Sequence, residues 1–185
     1  MLQRLLILAF AAFTACTPLA DRLAVNPLPS ALELRPLVGS VMVRTVSLPI
    51  YAAVEEIAIE AESGLIKINE DVLWADSPER AVTLVLTRTL SDILNINVGP
   101  EPWPFIGLPD VSVDIRVEKI IAGADSVFRL SGQYFIGGDA IDFRRTSQTF
   151  DIEIQMTDNS LQSVAAAQAA ALLALSEQVA RNLGR

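Results

Sequence analysis

Val111-Ser112-Val113-Asp114-Ile115-Arg116-Val117-Glu118 sets an apolar residue at every second position and a polar one between. Successive side chains of a strand point to opposite faces, so this stretch is a strand with one face in a core and one in water. Gly123 breaks it. Downstream, Phe128, Leu130, Tyr134 and Ile136 form a second inward set, Gly137-Gly138 turns the chain, and Phe150, Ile152, Ile154 and Met156 form a third. Three such strands joined by turns are antiparallel neighbours.

Upstream, Ser77 can cap a helix, Pro78 suits its first position and Glu79 meets the positive end of the helix dipole. Val82, Val85, Leu86, Leu90 and Ile93 then make one apolar stripe, with Thr83, Thr87, Arg88 and Asp92 off it. Ser160 opens a last helix that carries Leu161, Val164, Ala165, Leu172, Leu175 and Val179 inward and ends at Gly184, with Arg181 and Arg185 near its negative pole. Gln168 falls on that inward stripe, where its amide is expected to find a partner under the helix or to reach past the edge of the contact. Gln162, Ser163, Glu177 and Gln178 mark a polar side, as in a soluble amphipathic helix. Val41–Leu48 reads as a strand, and Ile57, Ile59, Ser63-Gly64, Ile66 and Ile68 read as a hairpin. The expected fold is α+β: an antiparallel sheet of about five or six strands with two amphipathic helices packed on one face.

Half the chain is hydrophobic (51%) and 19% is charged, enough apolar material for a single self-sufficient core in 185 residues. The formal charge is −8, and such a surface repels phosphate backbones, which speaks against nucleic acid as a partner. A single cysteine excludes an internal disulfide, and the absence of histidine removes the commonest general base and metal ligand. Ser131 in Ser131-Gly132-Gln133 therefore has no histidine to activate it, and we expect no enzyme. Glu55, Glu56, Glu60 and Glu62 read as a solvated face, and Asp139 and Asp142 beside Gly137-Gly138 read as turn chemistry, since a calcium site wants six or more oxygens.

Met1–Arg4 supplies a positive start and Leu5–Phe13 an apolar run too short to span a bilayer, the grammar of an export signal. Phe13-Thr14-Ala15-Cys16 resembles a bacterial lipobox, while Phe13 stands where an A-x-A cleavage site wants a small residue. The expectation is a signal peptide over residues 1–15 and a thioether-linked diacylglycerol plus an N-terminal acyl chain on Cys16, enough hydrocarbon for lasting anchorage. Thr17 in place of Asp resembles lipoproteins sent to the outer membrane, with inner-membrane retention the lesser reading. Residues 16–36, with Pro18, Pro27, Pro29 and Pro36, read as lipidated cysteine and tether with some extended packing, the 20 residues from Thr17 to Pro36 reaching roughly 65 Å at about 3.3 Å per residue. Residues 37–185 read as the domain.

Gly99–Asp110 carries Pro100, Pro102, Pro104 and Pro109 with Trp103, Phe105 and Ile106 between them. Proline fixes φ and donates no hydrogen bond, so this is a stiff, extended loop. Its aromatics either fold back as a lid over a sheet end or stand out as anchors for a partner.

The order of these features resembles the ABC-type transport auxiliary lipoprotein (PqiC-like) family from about Val41 to the C-terminus. The residues that carry the likeness are Val46-Ser47-Leu48-Pro49-Ile50-Tyr51, Leu73-Trp74-Ala75 leading into the first helix, and the alanine-rich last helix with Leu172-Leu173-Ala174-Leu175-Ser176-Glu177-Gln178-Val179-Ala180. The usual Trp-Ala-x-Pro-Leu is here Trp74-Ala75-Asp76-Ser77-Pro78, with the proline one position later. Pro49, Tyr51, Trp74 and Ala75 are expected to be structural. The resemblance implies a non-catalytic accessory of an MCE-type system that moves phospholipid between inner and outer membranes, docking an MCE-domain protein and ABC transporter components. It implies no cofactor beyond the lipid on Cys16. A different envelope adaptor, such as a secretin pilot or an activator of cell-wall synthesis, is the competing expectation.

Overall fold

Alternation builds the centre of the sheet. In the computed structural model, which describes residues 20–138 and 143–185, the alternating segments become β6 (Val111–Gly123), β7 (Val127–Gly137) and β8 (Thr146–Gln155), antiparallel throughout, with Ile115 opposite Tyr134 and Leu130 opposite Ile152. Val111, Val113, Ile115, Phe128, Leu130, Tyr134, Ile136 and Phe150 are buried on one face. The other face is open and polar; there the Arg116 guanidinium lies 5.2 Å from the Phe135 ring centroid. Buried Tyr134 donates its hydroxyl to Gln148 Oε1 (2.6 Å) and accepts from Asn182 Nδ2 (2.9 Å), and burial holds the phenol above its ordinary range.

The class is α+β, but the open sheet has eight strands among the described residues and is mixed rather than antiparallel. The additional strands are β1 (Asp21–Leu23), β2 (Ser40–Val43), β3 (Glu56–Glu60), β4 (Ile66–Trp74) and β5 (Asn97–Pro100). The β3–β4 hairpin is present, and Gly64 (φ +78°) lies in its turn. Its Ile66 and Ile68 share a face that is exposed, whereas Ile57 is buried. On one side of β6 the sheet forks. β2 pairs parallel with the start of β6 (Val41 opposite Val111) and carries β5; β3 pairs parallel with its end (Ile59 opposite Ala122) and carries β4 and β1. The Val41–Leu48 strand is shorter than its composition suggested, because the chain leaves β2 after Val43 to cross the fork, returning only for a single bridge from Ser47 to Arg116.

Both helices pack on the buried face and against each other. α1 (Pro78–Leu94) begins on Ser77 with Pro78 at its first turn, as expected, although the Ser77 side chain makes no cap bond and the Asp76–Arg80 ion pair closes that turn. Thr83 and Thr87, expected off the apolar stripe, are buried (4% and 8% exposed). α1 is wedged between the sheet and a second helix, which widens its buried arc. Their hydroxyls are satisfied locally: Thr83 donates to Glu79 O (2.6 Å) and Thr87 to Thr83 O (2.7 Å), while Thr83 also accepts from Val46 N (3.0 Å). α2 (Leu161–Leu183) is capped by Ser160, whose Oγ accepts from Ser163 N (3.2 Å). It is long and apolar enough to cross a bilayer by length and composition, yet 61% of its most apolar window is buried inside the domain, as in a core helix.

The folded body takes in most of the stretch read as tether. β1 lies parallel to β4, and Val25, Leu32 and Leu34 pack against the core. Leu34 N donates to Ile93 O (3.1 Å) and Leu37 N to Leu183 O (2.8 Å), while Arg35 and Arg185 exchange two backbone bonds (2.9 and 3.0 Å). The last carbonyls of a helix lack partners within it, so the strap folds down where two helix ends offer acceptors. Only residues 17–20 separate Cys16 from β1, at most about 14 Å of extended chain. Gly184 ends α2, but its φ of −146° is extended backbone rather than a left-handed cap. A Cβ there would lie 2.8 Å from Leu34 Cβ, so glycine serves the close approach of the strap.

Candidate docking surface

The β5–β6 loop is pinned at both ends. Glu101 N donates to Val43 O (2.9 Å), and its carboxylate accepts from Thr45 N (3.2 Å). At the far end, Asp110 Oδ2 accepts from Gly39 N (2.7 Å) and Ser40 N (3.2 Å), and Asp110 N donates to Ser40 Oγ (2.9 Å). Four prolines stiffen what lies between. Trp103 and Pro104 fold back over Gly99, so closely that a Cβ on Gly99 would sit 2.7 Å from Pro104 Cδ and 3.1 Å from the indole. Phe105 leans on Trp103, ring centroids 4.9 Å apart and tilted 59°.

Both outcomes expected for this loop occur, divided between its residues. Trp103 is a packed lid: half-buried, with Nε1 enclosed and without a hydrogen-bond partner. Phe105 (45% exposed), Ile106 (fully exposed) and Leu108 (85% exposed) stand out on it. Leu108 was not singled out by sequence, though it lies in the same proline-rich stretch and shares its cue. Three outward apolar side chains within four residues are more than scattered surface hydrophobics, and such clusters mark interaction sites.

The motif residues hold the fork together. Pro49 precedes a single 3-10 turn (Ile50–Ala52), and its carbonyl accepts from Ala52 N (2.8 Å) and Ala53 N (3.1 Å). This turn carries Tyr51, whose hydroxyl accepts from Ile120 N (3.2 Å), beside the register shift of β6 between Val117 and Lys119. Trp74 N donates to Glu55 O (2.7 Å), and Ala75 N donates to Leu23 O (2.9 Å), tying β1 to the end of β4. Trp74 and Ala75 are not beside the loop in the sheet: Trp74 pairs with Leu23 on the β1 arm of the fork, whereas the loop follows β5 on the other arm. Cys16, Asp139 and Asp142 lie outside the described residues.

The fold matches solved structures at low sequence identity. A protein of uncharacterised function superposes with a TM-score of 0.71 at 18% identity, over 89% of this chain and 100% of that one. Protein XCC0632 from Xanthomonas campestris, of the DUF330 family, superposes with a TM-score of 0.70 at 16% identity, over 85% of this chain and 92% of that one. No curated protein matches the chain. The sequence model of the ABC-type transport auxiliary lipoprotein component matches residues 23–180, a span that runs from β1 in the docked strap through nearly all of α2, and the chain belongs to that family.

Proposed function

We propose that this chain is a non-catalytic, lipid-anchored periplasmic subunit of an MCE-type ABC phospholipid transport system, held by Cys16 at the outer membrane and docking an MCE-domain protein. Membership of the auxiliary family supports the association with ABC transporter components. The observation that carries the docking role is the pinned loop that holds Phe105, Ile106 and Leu108 in water. Interface anchors are large apolar side chains on rigid supports, because little conformational freedom is then lost on binding.

Affinity purification of the full chain from gently solubilised membranes tests this. The wild type should bring an MCE-domain protein and ABC transporter subunits. Ile106→Asp combined with Leu108→Asp should lose them, by about 30-fold or more at the usual hot-spot threshold. Recovery of a secretin or a cell-wall enzyme instead would overturn the reading. The anchor is tested separately: Cys16→Ala should release the chain from membranes or leave an unprocessed precursor, since alanine accepts no thioether lipid, and unchanged fractionation with unchanged acyl labelling contradicts it.

A further inference from the structure

The turn of the β3–β4 hairpin lies beside the end of β6, and the docking loop runs into its start. Ala61 N donates to Leu65 O (2.9 Å) and Gly64 N to Ala61 O (2.8 Å), which closes the turn tightly. On this support Leu65 (68% exposed), Ile66 and Ile68 stand in water, with Ile66 opposite Glu60 and Ile68 opposite Ala58. Among the described residues no strand covers the outer side of Ile66 and Ile68, because β1 pairs only with Val72–Trp74. Three aliphatic side chains held out within four residues form the kind of exposed patch that marks a protein or membrane contact.

The start of β1 decides between the two. β1 runs parallel to β4, so its first residue, Asp21, opens toward the hairpin tip. Cys16 stands five residues before Asp21, a leash of at most about 17 Å. Leu65 stands seven residues before Val72, the partner of Asp21, and β4 carries the tip about 23 Å ahead in the same direction. The leash is shorter than the projection. With β4 along the bilayer normal, the tip therefore reaches the surface before the leash is taut.

We propose that Leu65, Ile66 and Ile68 enter the headgroup layer of a zwitterionic bilayer, as a second membrane contact beside the lipid on Cys16. The proposal rests on the reading of that anchor. Glu62 and Lys67 cancel within residues 61–68, so the tip carries no net charge into the layer. Glu70 and Asp71 follow, and the whole chain carries −8, so an anionic surface repels it. β6 runs 13 residues, about 40 Å, from Val111 after the docking loop to Gly123 beside β3. Contact at the hairpin thus turns the loop away from the membrane, toward a partner in the periplasm.

The test uses the full-length chain, processed in a Gram-negative host and placed in nanodiscs of phosphatidylethanolamine and phosphatidylcholine. Cys16 is the one cysteine and has no free thiol once lipidated, so a nitroxide goes only to an introduced cysteine. Ser63→Cys places it in the hairpin turn and Ile106→Cys on the docking loop. Collisions with oxygen, which concentrates in lipid, are compared with those of a neutral nickel chelate, which stays in water. The oxygen-to-nickel ratio at position 63 should be roughly fivefold that at position 106. Adding Leu65→Asp and Ile66→Asp to the Ser63→Cys chain should bring the two ratios together. The melting temperature should hold within about 2 °C, since both side chains are already in water. Leu65→Asp alone serves should the double variant misfold. Phosphatidylglycerol in place of the zwitterionic lipids should lower the ratio at position 63. Equal ratios at positions 63 and 106, or protection that arises only with phosphatidylglycerol, would overturn the proposal. So would a label at position 63 shielded from both probes, because another protein chain would then cover the tip. In these cases a chain that stays with the nanodisc keeps its anchor and loses only the hairpin contact. An unaltered chain that takes up nitroxide and fails to enter nanodiscs has no lipid on Cys16, and the proposal falls with the anchor.

Discussion

Two proline-rich segments, residues 27–36 and 100–109, resemble one another as sequence and take opposite roles. Both interleave prolines with large apolar residues. The first lies flat as a strap, with Leu32 and Leu34 packed on the core. The second is tied only at its ends and holds Phe105, Ile106 and Leu108 in water. The difference is one of available partners. The strap runs past the ends of α1 and α2, where helix carbonyls lack acceptor duty within the helix, and Leu34 and Leu37 donate to them. The loop passes the β5 edge, and its prolines at 102 and 104 have no N–H to give. A stiff segment becomes part of the core where backbone donors meet free acceptors, and stays a projecting surface where they do not.

Reversing the polarity of one residue in each segment is the strongest way to break this comparison. Leu34→Asp should destabilise the domain by roughly 3 kcal/mol, since a charge replaces a packed leucine beneath the strap. Ile106→Asp should change stability by less than about 0.5 kcal/mol, because its side chain is already in water. Chemical denaturation of the two variants checks this, and equal losses would mean that the loop tip is structural. Trp103→Ala lies between them. The indole is half-buried on Gly99 and props Phe105, so its loss should cost about 2 kcal/mol, below the ~3–5 kcal/mol of a fully buried tryptophan. A stable Trp103→Ala protein that still loses its partner would move the indole from pedestal to anchor.

The centre of the fold was legible because its cues are local. Alternation from Val111 onward and in the Phe128 and Phe150 sets marks β6, β7 and β8, and capping with helical spacing marks α1 and α2. The parallel partners were not legible, since β1, β2 and β5 owe their pairing to segments tens of residues away, and Gly99-Pro100 in β5 fits only an edge strand. One available cue went unused: Ala31-Leu32-Glu33-Leu34-Arg35 alternates, and in the structure Leu32 and Leu34 face the core while Glu33 and Arg35 are exposed. The division of labour in the loop could not be read at all. Trp103 is buried by contact with Gly99 and Ile106 is not, and neither fact has a local signature. Gln168 likewise announced an anomaly on its stripe but not that it would line a cavity between the strap and both helices.

The smallest expected effect sharpens the comparison at α2, which the strap holds at its C-terminus and a side-chain cluster holds at its N-terminus. Asp158 Oδ1 accepts from Ser160 N (2.9 Å), Ser160 Oγ (2.5 Å) and Ser163 Oγ (2.6 Å). These donors, the two hydroxyls foremost, favour the ionised form and lower its pKa from 3.8 to about 2. Because the folded value lies below the unfolded one, the stabilisation is fully present above the ordinary value of 3.8 and is lost as pH falls from there through about 2. Asp158→Asn should therefore melt lower than the wild type near neutral pH, by a small margin because the carboxylate is exposed to solvent. The gap between the two should narrow below pH 3.8 and close near pH 2. Leu34→Asp, acting at the other end of the helix, should keep most of its deficit over the same range, since lost packing does not titrate and only its new carboxylate regains a little on protonation. A gap for Asp158→Asn that persists undiminished at the acid end would assign its effect to packing at the helix start instead of to the charge.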